Sequence, residues 1–229
     1  MLSNGCKDSI AAWRNVDIYK KLSTLCHIPI ATASTRLLRL AGRHGSVSRR
    51  EVAEAKIHTQ TLSRLVRAGT LERVARGRYR LPNAPVTEHH GLALAAAAAP
   101  KAVICLLSAL SFHQIGTQLP HEVWIALDRR SRRPSLRYPR LRVVRFGGET
   151  LTEGVETHRI EGETVRVYSV AKTIADTFKY RNKIGLDVAL EALREAWRAR
   201  RFTMDKMYRY ARICRVERVM RPYLEALVA

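Results

Sequence analysis

Residues 48–82 constrain this chain more than any other stretch, because two short helical patterns and a basic hairpin centred on glycine follow one another with hardly a spacer. Ser48 and Glu51 have capping-box spacing, in which the serine oxygen accepts the amide at the third helical position and the glutamate reaches back to the cap. A short helix is therefore expected from about Arg49, with Val52, Ala53 and then Ile57 turned to a small core. His58 and Thr59 supply a turn and cap for a second helix through about Arg67, whose inward stripe is Leu62, Leu65 and Val66. Gly69 offers the left-handed residue that commonly ends a helix. Residues 70–74 and 79–81 then read as paired strands around Ala75, Arg76, Gly77 and Arg78. Upstream, residues 33–44 carry Leu37, Leu38, Leu40 and Ala41, which suits the first helix of a three-helix core. Three helices and a hairpin wing, over residues 32–82, make the layout of a winged helix-turn-helix.

The side chains left outside that core have the chemistry of a nucleic-acid surface. Thr59, Gln60 and Ser63 place hydroxyls and an amide near the start of the second helix, and Arg64 and Arg67 place guanidinium groups farther along. Such groups can reach base edges or phosphate oxygens. Arg76 and Arg78 flank Gly77 at the hairpin tip, where they would meet phosphate or the minor groove. The alternative is a solvated helix beside a basic hairpin.

Charge supports the first reading. The 229 residues carry 41 Lys+Arg against 20 Asp+Glu, a formal net charge of +21. A field of that sign draws polyanions by counterion release, so duplex DNA is the first partner to consider, ahead of acidic protein surfaces or anionic membranes. Cys6, Cys26, Cys105 and Cys214 are far apart and form no CxxC pair, which indicates neither a zinc site nor a disulfide framework and suits a reducing cytoplasm. The first fifteen residues lack the apolar run of a secretory signal. Residues 91–110 are apolar, but Pro100 and Lys101 split them, so a soluble helix and a buried strand are expected rather than a membrane span.

Length allows two domains. Residues 1–31 read as an N-terminal extension of helical pattern, 32–82 as the winged helix, 83–87 as a linker stiffened by Pro82 and Pro85, and 88–229 as a mixed α/β domain. That domain is expected to open with an alanine-rich helix to about Ala99, a buried strand at 102–106 and a helix at 108–115. Strands at 122–127, 141–146, 155–160 and 164–168 alternate as in a sheet with one covered face. From Ser169 the pattern is helical, over 170–180, 185–200, 203–214 and 216–228. The fold class is thus α/β in the α+β sense, with a helical C-terminal end.

Residues 129–145 hold eight arginines and no acid, with Tyr138 interleaved. So many mutually repelling charges on one loop favour an anionic partner, and Arg132, Arg133 and Arg137 are the candidate contacts. On the last two helices Lys206, Arg209, Arg212, Arg215, Arg218 and Arg221 recur every third residue. Three residues advance only about 300° around an α-helix, so this series cannot be one face. With a bend near Arg215, Met204, Met207, Tyr208 and Ala211 would pack on one helix and Met220, Tyr223, Leu224 and Leu227 on the next, the arginines rimming both. Arg209, Arg212 and Arg218 are candidates for protein contact, with a solvated exterior as the alternative. Asp176 is expected to serve structure, near Arg181 or Lys183. The eight histidines show no metal-ligand spacing, and no cofactor or metal is indicated.

Enzyme signatures are weak. Gly45-Ser46 has no following Asp-x-Asp pair to hold magnesium, no GxxxxGK[ST] loop exists, and Glu54-Ala55-Lys56 sits on an expected helix rather than a strand. The chain reads as a non-enzyme, with a nuclease or an RNA-binding module as the competing classes.

Over about residues 33–228 the order of motifs resembles the AbiEi family of antitoxins, the regulatory half of abortive-infection (type IV) toxin-antitoxin pairs. The resemblance rests on LSRLVRAG at 62–69 with GRYRLP at 77–82, SALSFH at 108–113, VWIAL at 123–127, VYS at 167–169, KTIAD at 172–176, Arg181-Asn182 and ARICRV at 211–216. It implies a winged helix that represses its own operon by binding operator duplex. It further implies a C-terminal domain that contributes to repression and counteracts a cognate nucleotidyltransferase-like toxin, directly or indirectly. Arg209, Arg212 and Arg218 are then the first candidates for the antitoxic surface. The first 30 residues and the arginine content of 129–145 depart from the usual pattern.

Overall fold

The computed structural model describes residues 32–75, 77–84, 87–136 and 138–228; the helical reading of residues 1–31 lies outside them, as do Arg76 and Arg137. The chain is mixed α/β with two sheets. α1 (Ala33–His44) is capped by Thr32, whose side chain accepts the Thr35 amide at 3.3 Å. β1 (Ser46–Ser48) leads into α2 (Arg49–Glu54), and Ser48 and Glu51 form the reciprocal capping box that their spacing predicts: the Glu51 amide reaches the Ser48 hydroxyl at 3.1 Å and the Ser48 amide reaches the Glu51 carboxylate at 2.6 Å. α3 (Thr59–Arg67) follows, then β2 (Glu72–Ala75) and β3 (Arg78–Arg80). Gly69, at φ +68°, turns the chain out of α3 into β2.

These strands form an antiparallel sheet in the order β1-β3-β2, with Val47 opposite Tyr79 and Arg73 opposite Tyr79 on the other side. The third strand, β1, was not legible, since Ser-Val-Ser is three residues long and carries one apolar side chain. The core beneath is Leu37, Ala41, Val47, Val52, Ile57, Leu62, Leu65, Leu71 and Tyr79, all buried. Each such aliphatic burial stabilises by about 1.5–3 kcal/mol before entropy is counted. Ala53 is exposed rather than part of this core. Val52 and Ile57 fill the space without it.

The second sheet runs β6-β5-β4-β8-β7, built from β4 (Val103–Ile104), β5 (Val123–Asp128), β6 (Leu141–Phe146), β7 (Val155–Ile160) and β8 (Glu163–Tyr168). β5 is parallel to β6 and β4 to β8, while the β4/β5 and β7/β8 pairs are antiparallel. Expectation and structure differ on its faces. One face packs on α4 (His90–Ala98), where Ala93, Ala95 and Ala96 let helix and sheet approach closely around Ile104, Ile125 and Val167. The other face carries Trp124, Ala126, Val144, Phe146 and Tyr168, buried with Leu106 of α5 (Leu106–Phe112), and the half-buried Leu151 of α6 (Glu149–Thr152) packs against them. Covered on both sides, the centre of the sheet needs continuous rather than alternating apolar strands, and Val123 to Leu127 of β5 are buried without a break.

α7 (Val170–Lys179) joins this sheet to a helical layer of α8 (Arg181–Ile184), α9 (Leu186–Arg198), α10 (Met204–Ile213) and α11 (Glu217–Val228). Met207, Ala211, Met220 and Leu224 are buried against Ile174, Phe178, Ala189 and Leu193, and Arg215 at φ +58° makes the bend between the last two helices. At the centre of α7, Lys172 and Asp176 are both fully buried and pair at 2.5 Å. Asp176 therefore takes Lys172 one turn earlier, not Arg181 or Lys183, and accepts the Cys214 thiol at 3.1 Å on its second oxygen. The Lys172 ammonium lies 4.2 Å from the centre of the Tyr168 ring and 5.0 Å from that of Phe146. Asp176→Ala should cost about 3–5 kcal/mol in urea unfolding, because it strands the lysine without water or counter-charge, whereas Lys172→Met with Asp176→Leu should cost far less. Equal loss in the single and double variants would show that packing volume, not the charge pair, sets the penalty.

Candidate nucleic-acid interface

α3 owes its orientation to the stripe at Leu62 and Leu65, and that stripe turns Thr59, Gln60, Ser63, Arg64 and Arg67 outward, where all five are exposed. No acidic residue lies on this helix. His58 caps it, its Nδ1 accepting the Gln60 amide at 3.2 Å. Arg64 donates to the Ser34 hydroxyl at 2.7 Å, which leans its guanidinium toward the start of α1. Ser63 donates to the Thr59 carbonyl at 3.3 Å. The five side chains thus form one polar, cation-bearing face.

Of the two arginines expected at the hairpin tip, the described one, Arg78, is turned back to carboxylates. Gly77 has φ +78° with open space where a side chain would be, and the turn it makes sends Arg78 back over the sheet. There its guanidinium meets Glu163 of β8 at 3.0 Å and Glu51 at 3.6 Å, with its side chain 24% exposed. Arg80 is bound by Glu72 and approaches His90 Nε2 at 3.5 Å. Arg73, which the sequence reading passed over, is exposed, its Nε on the Ala75 carbonyl at 3.2 Å, and among the described residues no carboxylate pairs with it. Strand alternation gave no clue, since Arg73 stands two residues after the buried Leu71 and opposite the buried Tyr79.

Glu163 is the centre of a junction between the two sheets. Its side chain is 5% exposed, and it also accepts a hydrogen bond from Ser46. Two residues earlier, Glu161 takes the Thr87 amide at 2.8 Å, the Thr87 hydroxyl at 3.0 Å and His90 Nδ1 at 2.6 Å. Gly45, at φ +75°, makes room for this hairpin, since a Cβ there would stand 2.6 Å from the Glu161 carbonyl oxygen. Gly45-Ser46, weighed above as an enzyme signature, serves this junction.

The arginine loop lies beside α4. Gly91, in the first turn of that helix, would bring a Cβ to 3.6 Å from Pro139. Arg145 holds the loop base, donating to the carbonyls of Asp128 at 2.8 Å and Ser131 at 2.7 Å. Arg132 and Arg133 are exposed, the latter touching the Leu141 carbonyl at 3.2 Å, and Tyr138 is 72% exposed among them. On the helical layer Arg209, Arg212 and Arg218 are exposed, and Arg209 pairs with Glu153 at 2.7 Å. The structure brings the α3 face together as one surface and gives the loop and the terminal helices separate positions.

Residues 36–82, from α1 to just past β3, match the family described as transcriptional regulator, AbiEi antitoxin. No curated protein matches the chain significantly. Among the described residues no helix is long and apolar enough to cross a membrane, and no group of three or more His, Cys, Asp or Glu is placed to hold a metal.

Burial raises the carboxyl pKa of Glu163 despite the opposing Ser46 and Arg78. The folded chain therefore holds this proton more tightly than the unfolded one. That contribution to stability is complete below the unfolded value, about 4.3, and is lost as pH rises through the folded value. Glu163→Gln, which keeps a neutral hydrogen-bonding group in place, should gain stability relative to the parent as urea unfolding is followed from pH 4 to pH 7. Parallel profiles would mean that Glu163 does not titrate in this window.

Proposed function

We propose that residues 32–82 form a winged helix that binds operator duplex DNA. On this reading the chain is an autoregulatory repressor and antitoxin whose second part, residues 88–229, helps to counteract a nucleotidyltransferase-like toxin. The observation that carries the reading is the α3 face, with Thr59, Gln60, Ser63, Arg64 and Arg67 exposed and no carboxylate among them, inside the segment that matches the regulator family. α3 is the recognition helix, with Gln60 suited to adenine and Arg64 to guanine in the major groove. The hairpin is the wing. Arg76 and Arg73 supply its phosphate contacts, and Arg78, already neutralised by Glu163, adds less to counterion release than its position in the sequence implies. Arg132, Arg133 and Arg137 extend the basic surface onto flanking backbone.

Gln60→Ala combined with Arg64→Ala should weaken operator binding by about 2–5 kcal/mol if both side chains reach bases, read by titration of the promoter fragment at fixed salt. Unchanged affinity in a folded double variant would remove α3 from the recognition role.

The two remaining arginine sets separate by output. Charge reversal at Arg209, Arg212 and Arg218 should impair protection in a toxin co-expression growth assay more than repression of a promoter reporter. Alanine at Arg132, Arg133 and Arg137 should do the opposite. Parallel loss of both outputs in folded variants would show a single shared surface.

A further inference from the structure

We propose that the loop joining β5 to β6 binds an unpaired segment of RNA, with Tyr138 as the platform on which a base stacks. In the proposed function this loop touches only duplex backbone. A base-stacking site is a separate property of the loop and does not depend on α3.

Tyr138 is 72% exposed, and among the described residues neither its ring nor its hydroxyl has a partner. Other rings of the chain do have one: Arg142 lies over Trp124 at 4.5 Å and Lys183 over Tyr180 at 5.7 Å. The chain on either side of Tyr138 is anchored. Leu136 packs against the core that α4 shares with the second sheet, and Pro139 is buried, its ring 3.6 Å from where a Cβ on Gly91 would stand. The Arg140 carbonyl accepts the Val123 amide at 2.9 Å, which fixes the entry into β6. Two apolar neighbours are thus turned inward while the aromatic between them is held out in water.

A single exposed ring needs no explanation by itself, but its setting supplies one. Arg130, Arg132 and Arg140 of the same loop are exposed, and among the described residues their side chains pair with no carboxylate. Residues 129–148 contain no acid at all. Cations that follow a phosphate backbone together with an aromatic platform are the make-up of a single-strand site. Stacking on the ring requires a free base face, which a duplex does not offer because its bases already stack on one another. RNA presents such bases in its loops and ends, where proteins take them on aromatic rings, whereas most DNA is paired, so RNA is the strand that fits this loop.

The test is fluorescence anisotropy on the full chain with a labelled oligouridylate of about ten nucleotides, within the roughly 4–16 that one single-strand site covers. Beside it run an abasic strand of the same length, a paired RNA duplex and the DNA strand of matching sequence. The oligouridylate should bind about tenfold more tightly than the abasic strand, which has equal charge and no base to stack. It should also bind more tightly than the duplex and no more weakly than the DNA strand. Tyr138→Ala should lose about tenfold in affinity, one step of roughly 1.4 kcal/mol, and Tyr138→Phe should retain it, since stacking needs the ring and not the hydroxyl. Arg132→Ala with Arg140→Ala should weaken oligouridylate and abasic strand alike and flatten the slope of log K against log salt by about 1.4, about 0.7 for each phosphate. Gln60→Ala with Arg64→Ala should leave RNA binding intact, so that failure of this site and failure of α3 as recognition helix are read separately. Equal affinity for oligouridylate and abasic strand, or unaltered affinity in Tyr138→Ala, would reduce the effect to general attraction by a basic chain and overturn the proposal. Tighter binding of the duplex or the DNA strand, or loss of RNA binding in the α3 variant, would overturn it equally.

Discussion

Two glutamates on one hairpin, Glu161 and Glu163, hold the first sheet to the second, and the direction in which α3 and the β2/β3 hairpin face follows from that hold. A short hairpin with one buried carboxylate, Glu163, and one half-buried, Glu161, is a costly device, because an ionised group out of water needs partners. The partners here offset part of that cost. Glu161 meets Thr87 and His90, and Glu163 meets Ser46 and Arg78. The partners come from β1, β3 and the segment that enters α4, so the hairpin touches the start, the end and the exit of the first sheet group. Removing any one partner leaves a buried charge behind, and the junction is specified more sharply than apolar contact alone would specify it.

The same logic recurs in the interior of α7. Lys172 and Asp176 pair between the aromatic face of the second sheet, through Tyr168 and Phe146, and the helical layer, through Cys214. Burial pushes the Asp176 carboxyl and the Cys214 thiol up, with Lys172 opposing the rise at both. An apolar pair of similar volume could hold the layers together with equal strength. What the ion pair adds is register, since Lys172 fits only one turn before Asp176 and opposite one thiol.

Much of the local structure was legible because it rests on local rules. The capping box at Ser48 and Glu51, Gly69 after α3 and the 3.6-residue stripes of α3, α10 and α11 each depend on residues within a few positions of one another. The exposed face of α3 followed from its buried one. What could not be read depends on partners distant in sequence. Nothing near Arg78 announces Glu163, 85 positions on, and nothing near Asp176 prefers Lys172 over Arg181 until α7 is folded and Cys214 is in place. The burial of both faces of β5 likewise depends on α4 and α5 arriving from either side. β1 was missed because three residues carry no periodicity to detect.

Arginine content and available positive charge are therefore different quantities in this chain. Arg78 and Arg80 lie in the hairpin as arginines of the same sequence type as Arg73, yet the first two are committed to carboxylates and only the third stands exposed without one among the described residues. Arg145 is spent on carbonyls at the base of the 129–145 loop, and Arg142 lies over the Trp124 ring at 4.5 Å with Glu122 beside it. These arginines build the scaffold. Those that remain outward, on α3, on the loop and on the terminal helices, set the long-range field, and a net charge of +21 leaves that field strongly positive after the internal pairs are discounted. Glu161 and Glu163 at the hairpin and Asp176 in α7 are acids that fix geometry, and α3 carries no acid at all, so a polyanion meets little opposition on its face.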